Sequence, residues 1–297
     1  MDRSVPILVV GAGPAGLAAS IQLGRDLVQH LVVGREPAGG LLPAAWRIDN
    51  LPGFPGGVTG TALARRLAEQ ASALDLPIVE DEVKSLATAG EAFVARLASG
   101  GALEARAVIL ATGTRPRPWS VPGAEDATPS GLLHRDARTL PADLEGASVA
   151  IVGSGDAALD SALSVHRRKG RAVVLARGSL GRANERIVER VERRSIEVVT
   201  HSPVERIRVS GSRVALLPQG LEADHLVVCI GRTPDDGLYR MLVPGGPPPS
   251  SVETLLPGLL AAGDLIAGRH RFIARAQGDG QRAALLATAG TGSSPSR

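Results

Sequence analysis

This chain is short of sulfur and of rings. It has one cysteine, Cys229, in 297 residues, and aromatic residues make up only 2% of it. A lone thiol closes no internal disulfide, runs no intramolecular dithiol couple and builds no cysteine metal cage. The scarcity of rings argues against a stacking platform for single-stranded nucleic acid. It also leaves the cores to Leu, Val, Ile and Ala. No apolar run reaches membrane-spanning length and no leader-like stretch precedes the apolar run at Pro6, so a cytoplasmic location is expected. The formal net charge of +3 is small, and basic runs such as Arg167-Arg-Lys169 and Arg193-Arg194 read as solvated helix ends. Neither nucleic acid nor a membrane is expected as a partner, and no metal-ligand set is seen. The tail from Gly290 to Arg297 is rich in Gly, Ser and Pro and is expected to fray.

What the chain has in abundance is glycine, 36 residues, and two of its clusters are built alike. The apolar run Pro6-Ile-Leu-Val-Val10 leads into Gly11-Ala-Gly-Pro-Ala-Gly16 and then an amphipathic stretch from Leu17 to Leu23. That is strand, turn and helix with GxGxxG spacing. Gly11 permits the tight turn, Gly13 lets backbone approach a pyrophosphate, and Gly16 lets helix and strand pack closely, with Pro14 and Ala15 between them. The free N–H groups and positive dipole end of the helix then face the phosphates. The pattern returns at Ala147–Val152, Gly153-Ser-Gly-Asp-Ala-Ala158 and Leu159–His166, with GxGxxA spacing. Here Gly153, Ser154, Gly155 and Ala157 make the turn. Two such units fit a chain long enough for two domains.

Between and after these units the pattern is that of α/β protein. His30–Val33 reads as a second parallel strand, and Glu36 is the first acid beyond it, where such folds grip ribose hydroxyls. Gly39-Gly40-Leu41-Leu42 and Asp49-Asn50-Leu-Pro-Gly-Phe-Pro55 read as loop. Ala62–Leu74 has helical spacing and Pro77–Val83 reads as a strand. Phe93–Leu97 and Leu103–Ala107 read as an antiparallel pair, and Val108–Thr114 as a separate buried strand ending in Thr112-Gly113. Arg115-Pro-Arg-Pro-Trp119 reads as an extended linker. Ala172–Leu175, a hairpin over Val204–Leu217, and His225–Gly231 follow, with a charged helix at Ala183–Arg194. Gly258–Asp264 is a strand ending in Gly263-Asp264, and Ala274–Ala287 is a closing helix.

Together these motifs resemble the thioredoxin-reductase-like branch of the two-dinucleotide flavoprotein oxidoreductases, from about Ile7 to Ala287. The resemblance rests on GAGPAG at 11–16, Asn50–Pro55, Ala111-Thr-Gly113, GSGDAA at 153–158, Cys229-Ile-Gly231, Ala261-Ala-Gly-Asp264, Arg271 and Ala276-Gln-Gly-Asp-Gly280. It implies two Rossmann-like, three-layer ββα domains, the second inserted in the first. An FAD domain would comprise residues 1–118 and 233–297, and an NAD(P)-type domain residues 119–232. It implies FAD contacts from Gly11, Gly13, Pro14, Ala15, Gly16, Glu36, Gly40, Leu41 and Asn50. It further implies that backbone near Val83 meets the adenine, that Thr112 and Gly113 line the cofactor, and that Gly263 and Asp264 meet its ribityl or phosphate side. Arg271, Phe272 and Ile273, at the start of the last helix, would lie near the flavin pyrimidine edge, where a helix N-terminus stabilises a reduced flavin. A homodimer is implied as well.

The chain departs from that family in two places. The slot where thioredoxin reductases carry CxxC falls at Asp136-Ala-Arg-Thr139 and holds no cysteine, so thioredoxin reduction by internal dithiol exchange is rejected. The HRRxxxR stretch that reads NADPH is here Ala176-Arg-Gly-Ser-Leu-Gly-Arg182, keeping only Arg177 and Arg182. Use of NADPH, of NADH, or of neither stays open. His134 and Asp136, beside the empty slot, are candidate acid–base residues. Three readings follow: an NAD(P)H-dependent flavin reductase with an external small-molecule or protein acceptor; a flavin oxidase or dehydrogenase driven by a small substrate; and a non-catalytic flavin sensor that docks an acidic partner through Arg269-His-Arg271.

Overall fold

The computed structural model describes residues 3–181 and 183–291. The chain opens with β1 (Arg3–Val10), α1 (Pro14–Arg25), β2 (His30–Gly34), α2 (Gly60–Ala73), β3 (Ile78–Glu80), β4 (Val83–Ala89), β5 (Ala92–Leu97), β6 (Ala102–Leu110) and β7 (Thr114–Pro116). It continues with α3 (Ala124–Ala127), β8 (Leu133–His134), β9 (Ser148–Val152), α4 (Asp156–Arg167), β10 (Arg171–Leu175), α5 (Glu185–Glu192) and β11 (Glu197–Val199). Then come β12 (Arg206–Ser210), β13 (Arg213–Leu217), β14 (Leu221–Ala223), β15 (His225–Val228) and β16 (Arg232–Pro234). The chain closes with α6 (Gly237–Leu242), β17 (Leu259–Ala261) and α7 (Ile273–Thr291). It divides into two units, one of residues 1–43, 49–115 and 233–297, the other of residues 44–48 and 116–232. Part of the Gly/Ser/Pro tail, residues 292–297, and Arg182 lie outside the described residues.

In the first unit a seven-stranded sheet runs in the order β3-β2-β1-β6-β5-β4, with β17 beside β6. β1, β2, β3, β6 and β17 are parallel, and β4 and β5 form an antiparallel meander on β6. The two stretches read from sequence as separate strands, Leu103–Ala107 and Val108–Thr114, are therefore one strand. Its alternating first half pairs with β5 and its continuous apolar second half with β17, so two burial patterns share one element. That strand ends at Leu110, and Ala111–Gly113 is irregular. The reading of Pro77–Val83 as one strand is also corrected. Asp81 breaks it, because its carboxylate accepts from the Glu82 amide and from the Ser99 amide and hydroxyl, which turns the chain from β3 into β4. On the helical side α7 packs against α1 through small buried residues, Ala276, Ala283, Ala284 and Ala287.

The second unit repeats the logic in five parallel strands, β11-β10-β9-β15-β8. Its central strand β9 alternates strictly. Val149 and Ile151 join a core with Leu159, Ala162 and Leu163 of α4, whereas Ala150 and Val152 face a core built with Ile207, Val214 and Leu216 of the three-stranded β12-β13-β14 sheet. Period-two alternation with both faces apolar is what a strand between two covering layers requires. The result is helix, sheet, sheet, the ββα layering. In each unit the strand that leads into the glycine turn, β1 or β9, sits at the point where strand order reverses, and the turn follows its carboxyl end, which is where open α/β sheets take ligands. β7 and β16, which lead out of the first unit and back into it, pair as a two-stranded ribbon.

Two candidate dinucleotide sites

The first turn is held by backbone alone. Gly11 N–H donates to Val33 O at 2.7 Å, and Gly11 adopts φ +110°. A Cβ there would lie 2.3 Å from Ala111 O, and one on Gly16 would lie 1.8 Å from Gly11 O, so neither position admits a side chain. Gly13 differs. It caps α1 in extended conformation with no side-chain cap, Pro14 follows at the first helical position, and no atom of the described residues would approach its Cβ within 4 Å. Open space in front of uncapped first-turn amides is what a pyrophosphate needs, and the turn fits one. Other glycines press on the same turn: a Cβ on Gly40 would meet Gly13 Cα at 3.0 Å, on Gly263 would meet Ala15 Cβ at 2.7 Å, and on Gly280 would meet Ala15 O at 2.0 Å.

Beside this turn lies a cavity of about 230 Å³, whose walls include Gly11, Val33, Arg35, Val83, Thr112 and Asp235. Of the residues assigned to FAD from sequence, Gly11, Val83 and Thr112 meet here, and Gly13, Ala15, Gly40 and Gly263 meet at the turn. Gly113 accepts from Asp235 N–H at 3.0 Å. Glu36 and Asn50 are exposed, Leu41 is half-buried, and Asp264 sits in a short 3-10 turn, Gly263–Leu265. Ile273 begins α7, with Arg271 half-buried and Phe272 exposed just before it. Sequence reasoning settled on Glu36 and missed its neighbour Arg35, which lines the cavity and donates to Asp235 Oδ2 at 3.1 Å. An Arg at the end of β2 was the available signal.

The second turn copies the first. Gly153 N–H donates to Leu175 O at 3.0 Å, and a Cβ on Gly153 would lie 2.4 Å from Cys229 O. Gly155 caps α4 in extended conformation, again with no side-chain cap, and no atom of the described residues would come within 4 Å of a Cβ placed on it. Ala158 takes the third glycine's place, 3.0 Å from the Gly153 Cβ position. Ser154 is half-buried and Ala157 exposed at the mouth. Asp156, in the first turn of α4, accepts from Asn184 N–H at 2.7 Å. Arg177 is exposed just after β10.

One turn into α4, Asp160 accepts from the backbone N–H of Trp46 at 2.6 Å and from that of Arg47. Burial outweighs those N–H groups and pushes its carboxyl up to about 6. The Trp46 ring lies under the guanidinium groups of Arg190 and Arg194, at 5.6 and 5.4 Å. Nothing in the loop around Trp46 announced that residues 44–48 pack within the second unit.

The acid–base assignment of His134 and Asp136 gains no support. His134 lies in β8, 7% exposed, with Nδ1 on Thr139 Oγ1 at 2.9 Å and Nε2 on His225 Nδ1 at 3.2 Å. Burial and the neighbouring His225 bring its pKa down to about 4, so the ring is neutral near pH 7. Asp136 is engaged by Arg138 through its backbone N–H, Nε and Nη2, at 2.9–3.0 Å. Burial pushes the Cys229 thiol up to about 11, and its Sγ sits 3.6 Å from Ser161 Oγ.

Comparison with known proteins agrees with this geometry. Residues 5–280 match the family model described as pyridine nucleotide-disulphide oxidoreductase. A ferredoxin–NADP reductase of Ignicoccus hospitalis is 31% identical over 91% of this chain and 93% of its own. A bifunctional thioredoxin reductase/thioredoxin of Mycobacterium leprae is 29% identical over 94% of this chain, which spans 64% of that longer protein. The thioredoxin reductase structure of T. acidophilum superposes with a TM-score of 0.84 at 24% identity, covering 98% of this chain and all of that one. Two Rossmann-like units, one inserted in the other, each with an open glycine turn, and a family match over nearly the whole length place this chain in the pyridine nucleotide-disulphide oxidoreductase family, with the thioredoxin-reductase-like fold.

Proposed function

We propose that this chain is a flavoprotein oxidoreductase that binds FAD at the first turn and NADPH at the second, and that delivers electrons to an acceptor without a thiol relay of its own. The observation that carries the reading is the repetition of one open, uncapped glycine turn in both units, Gly13 and Gly155, in a chain that carries a single thiol. When bound, FAD supplies two-electron acceptance from a reduced nicotinamide and release to an acceptor. The chain's own groups then bind and orient. First-turn amides of α1 and α4 hold pyrophosphates. The N-terminus of α7, after Arg271 and Phe272, would set a positive dipole end toward a bound flavin. Arg177 would meet the donor's ribose. No acid stands in the stretch Ala176–Gly181, and an arginine without a neighbouring acid favours a 2′-phosphate over a free 2′-hydroxyl.

The test is anaerobic. The purified protein carries flavin, and NADPH bleaches its absorbance faster than NADH does. Arg177→Ala raises the KM for NADPH roughly 10-fold and leaves that for NADH within about two-fold, because a phosphate contact is lost from binding alone. Bleaching by dithionite but by neither nucleotide overturns the donor assignment. It would turn attention to the second reading, an oxidase or dehydrogenase driven by a small substrate, which the replacement of two basic positions by Ala176 and Gly178 favours. Oxygen uptake during a substrate screen then separates the two.

A further inference from the structure

The cavity beside the first turn has one cation held at its mouth from two sides. Gly34 is pressed onto the glycine turn, since a Cβ on it would lie 2.7 Å from Ala12 Cβ, and Arg35 emerges next at the cavity wall. Its Nη2 donates to Asp235 Oδ2 at 3.1 Å, and its Nη1 lies 3.8 Å from Glu82 Oε1. These acids sit on separate segments, and each is anchored. Asp235 donates its N–H to Gly113 O at 3.0 Å and accepts at its carbonyl from Thr112 Oγ1 at 2.7 Å. Glu82 follows Asp81, whose carboxylate holds the Glu82 N–H at 2.7 Å. Arg35 thus ties the end of β2, the β3–β4 bend and the segment after β16 across one hollow.

The hollow suits a nucleoside. At about 230 Å³ it falls below the ~300–1,000 Å³ usual for drug-sized ligands, so it takes one end of a dinucleotide. Val10, Val33, Val83 and Leu238 give it apolar walls for a flat base. Its rim carries Asp81, Glu82 and Asp235 against Arg35 and Lys84, an acidic balance that disfavours an additional phosphate. A guanidinium stacks on aromatic faces as an ammonium does not. The ion pairs holding Arg35 are half exposed, and such pairs are weak enough to open for a ligand.

We propose that Arg35, held between Glu82 and Asp235, is a lid over the adenosine half of FAD that selects FAD over flavins lacking adenosine and slows its release. This rests on the reading of the first turn as the FAD site. The test follows flavin fluorescence after dilution of the holoprotein, and of the same protein exchanged with FMN, for the native chain, Arg35→Ala, Arg35→Lys and Asp235→Asn. Arg35→Ala releases FAD at least about 10-fold faster and leaves FMN release within about two-fold. Arg35→Lys, which keeps charge but loses the plane, stays close to Arg35→Ala, and Asp235→Asn falls between it and the native chain. Circular dichroism melting checks that each variant folds, and Asp235→Asn carries the test where Arg35→Ala does not. FAD release unchanged in the folded variants, or FAD and FMN release accelerated alike, overturns the lid and leaves the FAD site standing. A native chain that retains neither FAD nor FMN overturns the site itself, and the lid with it.

Discussion

The two glycine turns of this chain are the same device with different parts, and position by position the differences say what each part is for. Counting from the first glycine of each turn, Gly16 corresponds to Ala158 and Ala18 to Asp160. The residue whose carbonyl crowds that first glycine is Ala111 in one unit and Cys229 in the other. What is identical is the first glycine, where a Cβ would lie 2.3 or 2.4 Å from a carbonyl oxygen, and the middle glycine, left open. The first serves packing, and the second leaves the space that the proposed nucleotides would need. The third position is graded: a Cβ on Gly16 would overlap Gly11 O at 1.8 Å, whereas the second unit carries a methyl there, on Ala158. The comparison also explains the lone cysteine. It stands where the first unit has alanine, as a small, partly buried residue behind a turn.

The largest effect is expected where the parts are least exchangeable. Gly16→Ala forces a methyl into a carbonyl, so α1 or the turn must shift; overpacking of this kind costs ~1–3 kcal/mol or more. The variant should purify with little flavin and melt several degrees lower. Ala158→Gly, the reciprocal change, should cost no more than ~1 kcal/mol and keep its response to nicotinamide nucleotide. Full flavin content in Gly16→Ala, measured by absorbance, breaks the comparison.

The next effect lies at Asp160, whose counterpart Ala18 carries no charge. With its pKa raised from 3.8 to about 6, the folded second unit binds the proton more tightly than the unfolded chain does between those values. Its stability from this group therefore falls as pH rises through about 4 to 6 and is flat above. The span is about 3 kcal/mol at ~1.36 kcal/mol per pKa step. His134 has the opposite sign. Lowered from 6.5 to about 4, it favours the folded state as pH rises through that window. Thermal melts between pH 4 and 7 should therefore show Asp160→Asn gaining stability more steeply with pH than the native chain, and His134→Asn less steeply. Parallel curves for all three would remove both groups from the account.

The smallest effect sharpens the equivalence of Cys229 and Ala111. Cys229→Ala should leave flavin reduction by NADPH and acceptor turnover within about two-fold, and thiol reagents should not inhibit the native protein at neutral pH. A 10-fold loss would give the thiol a role that packing does not.

Much of this was legible in the sequence because glycine constraints are local. Gly11, Gly16 and Gly153 are forced by atoms a strand or a turn away, and period-two and helical patterns located the strands and helices around them. What was not legible depended on distant partners. Trp46 meets Asp160 across 114 positions, and Arg35 meets Asp235 across 200. The strand at His134 was not read at all, because a strand of two residues has no period. β6 read as two strands because its halves have different neighbours. Asp81 gave no warning that a hydrogen-bonded acid would break a strand. The site was legible as a turn and a pocket wall, and its lid was not.

That Cys229 is the chain's one thiol has a consequence for electron capacity. A relative that couples flavin to a dithiol holds two pairs of electrons, one on each. With FAD bound, this chain has a single store of one pair. Each reduction must therefore be cleared before the next donor can react, so reductant and acceptor must alternate. Burial pushes the one thiol up to about 11, which makes it a poor nucleophile at neutral pH. Under the proposed function, the flavin's state then follows the nicotinamide donor and the acceptor.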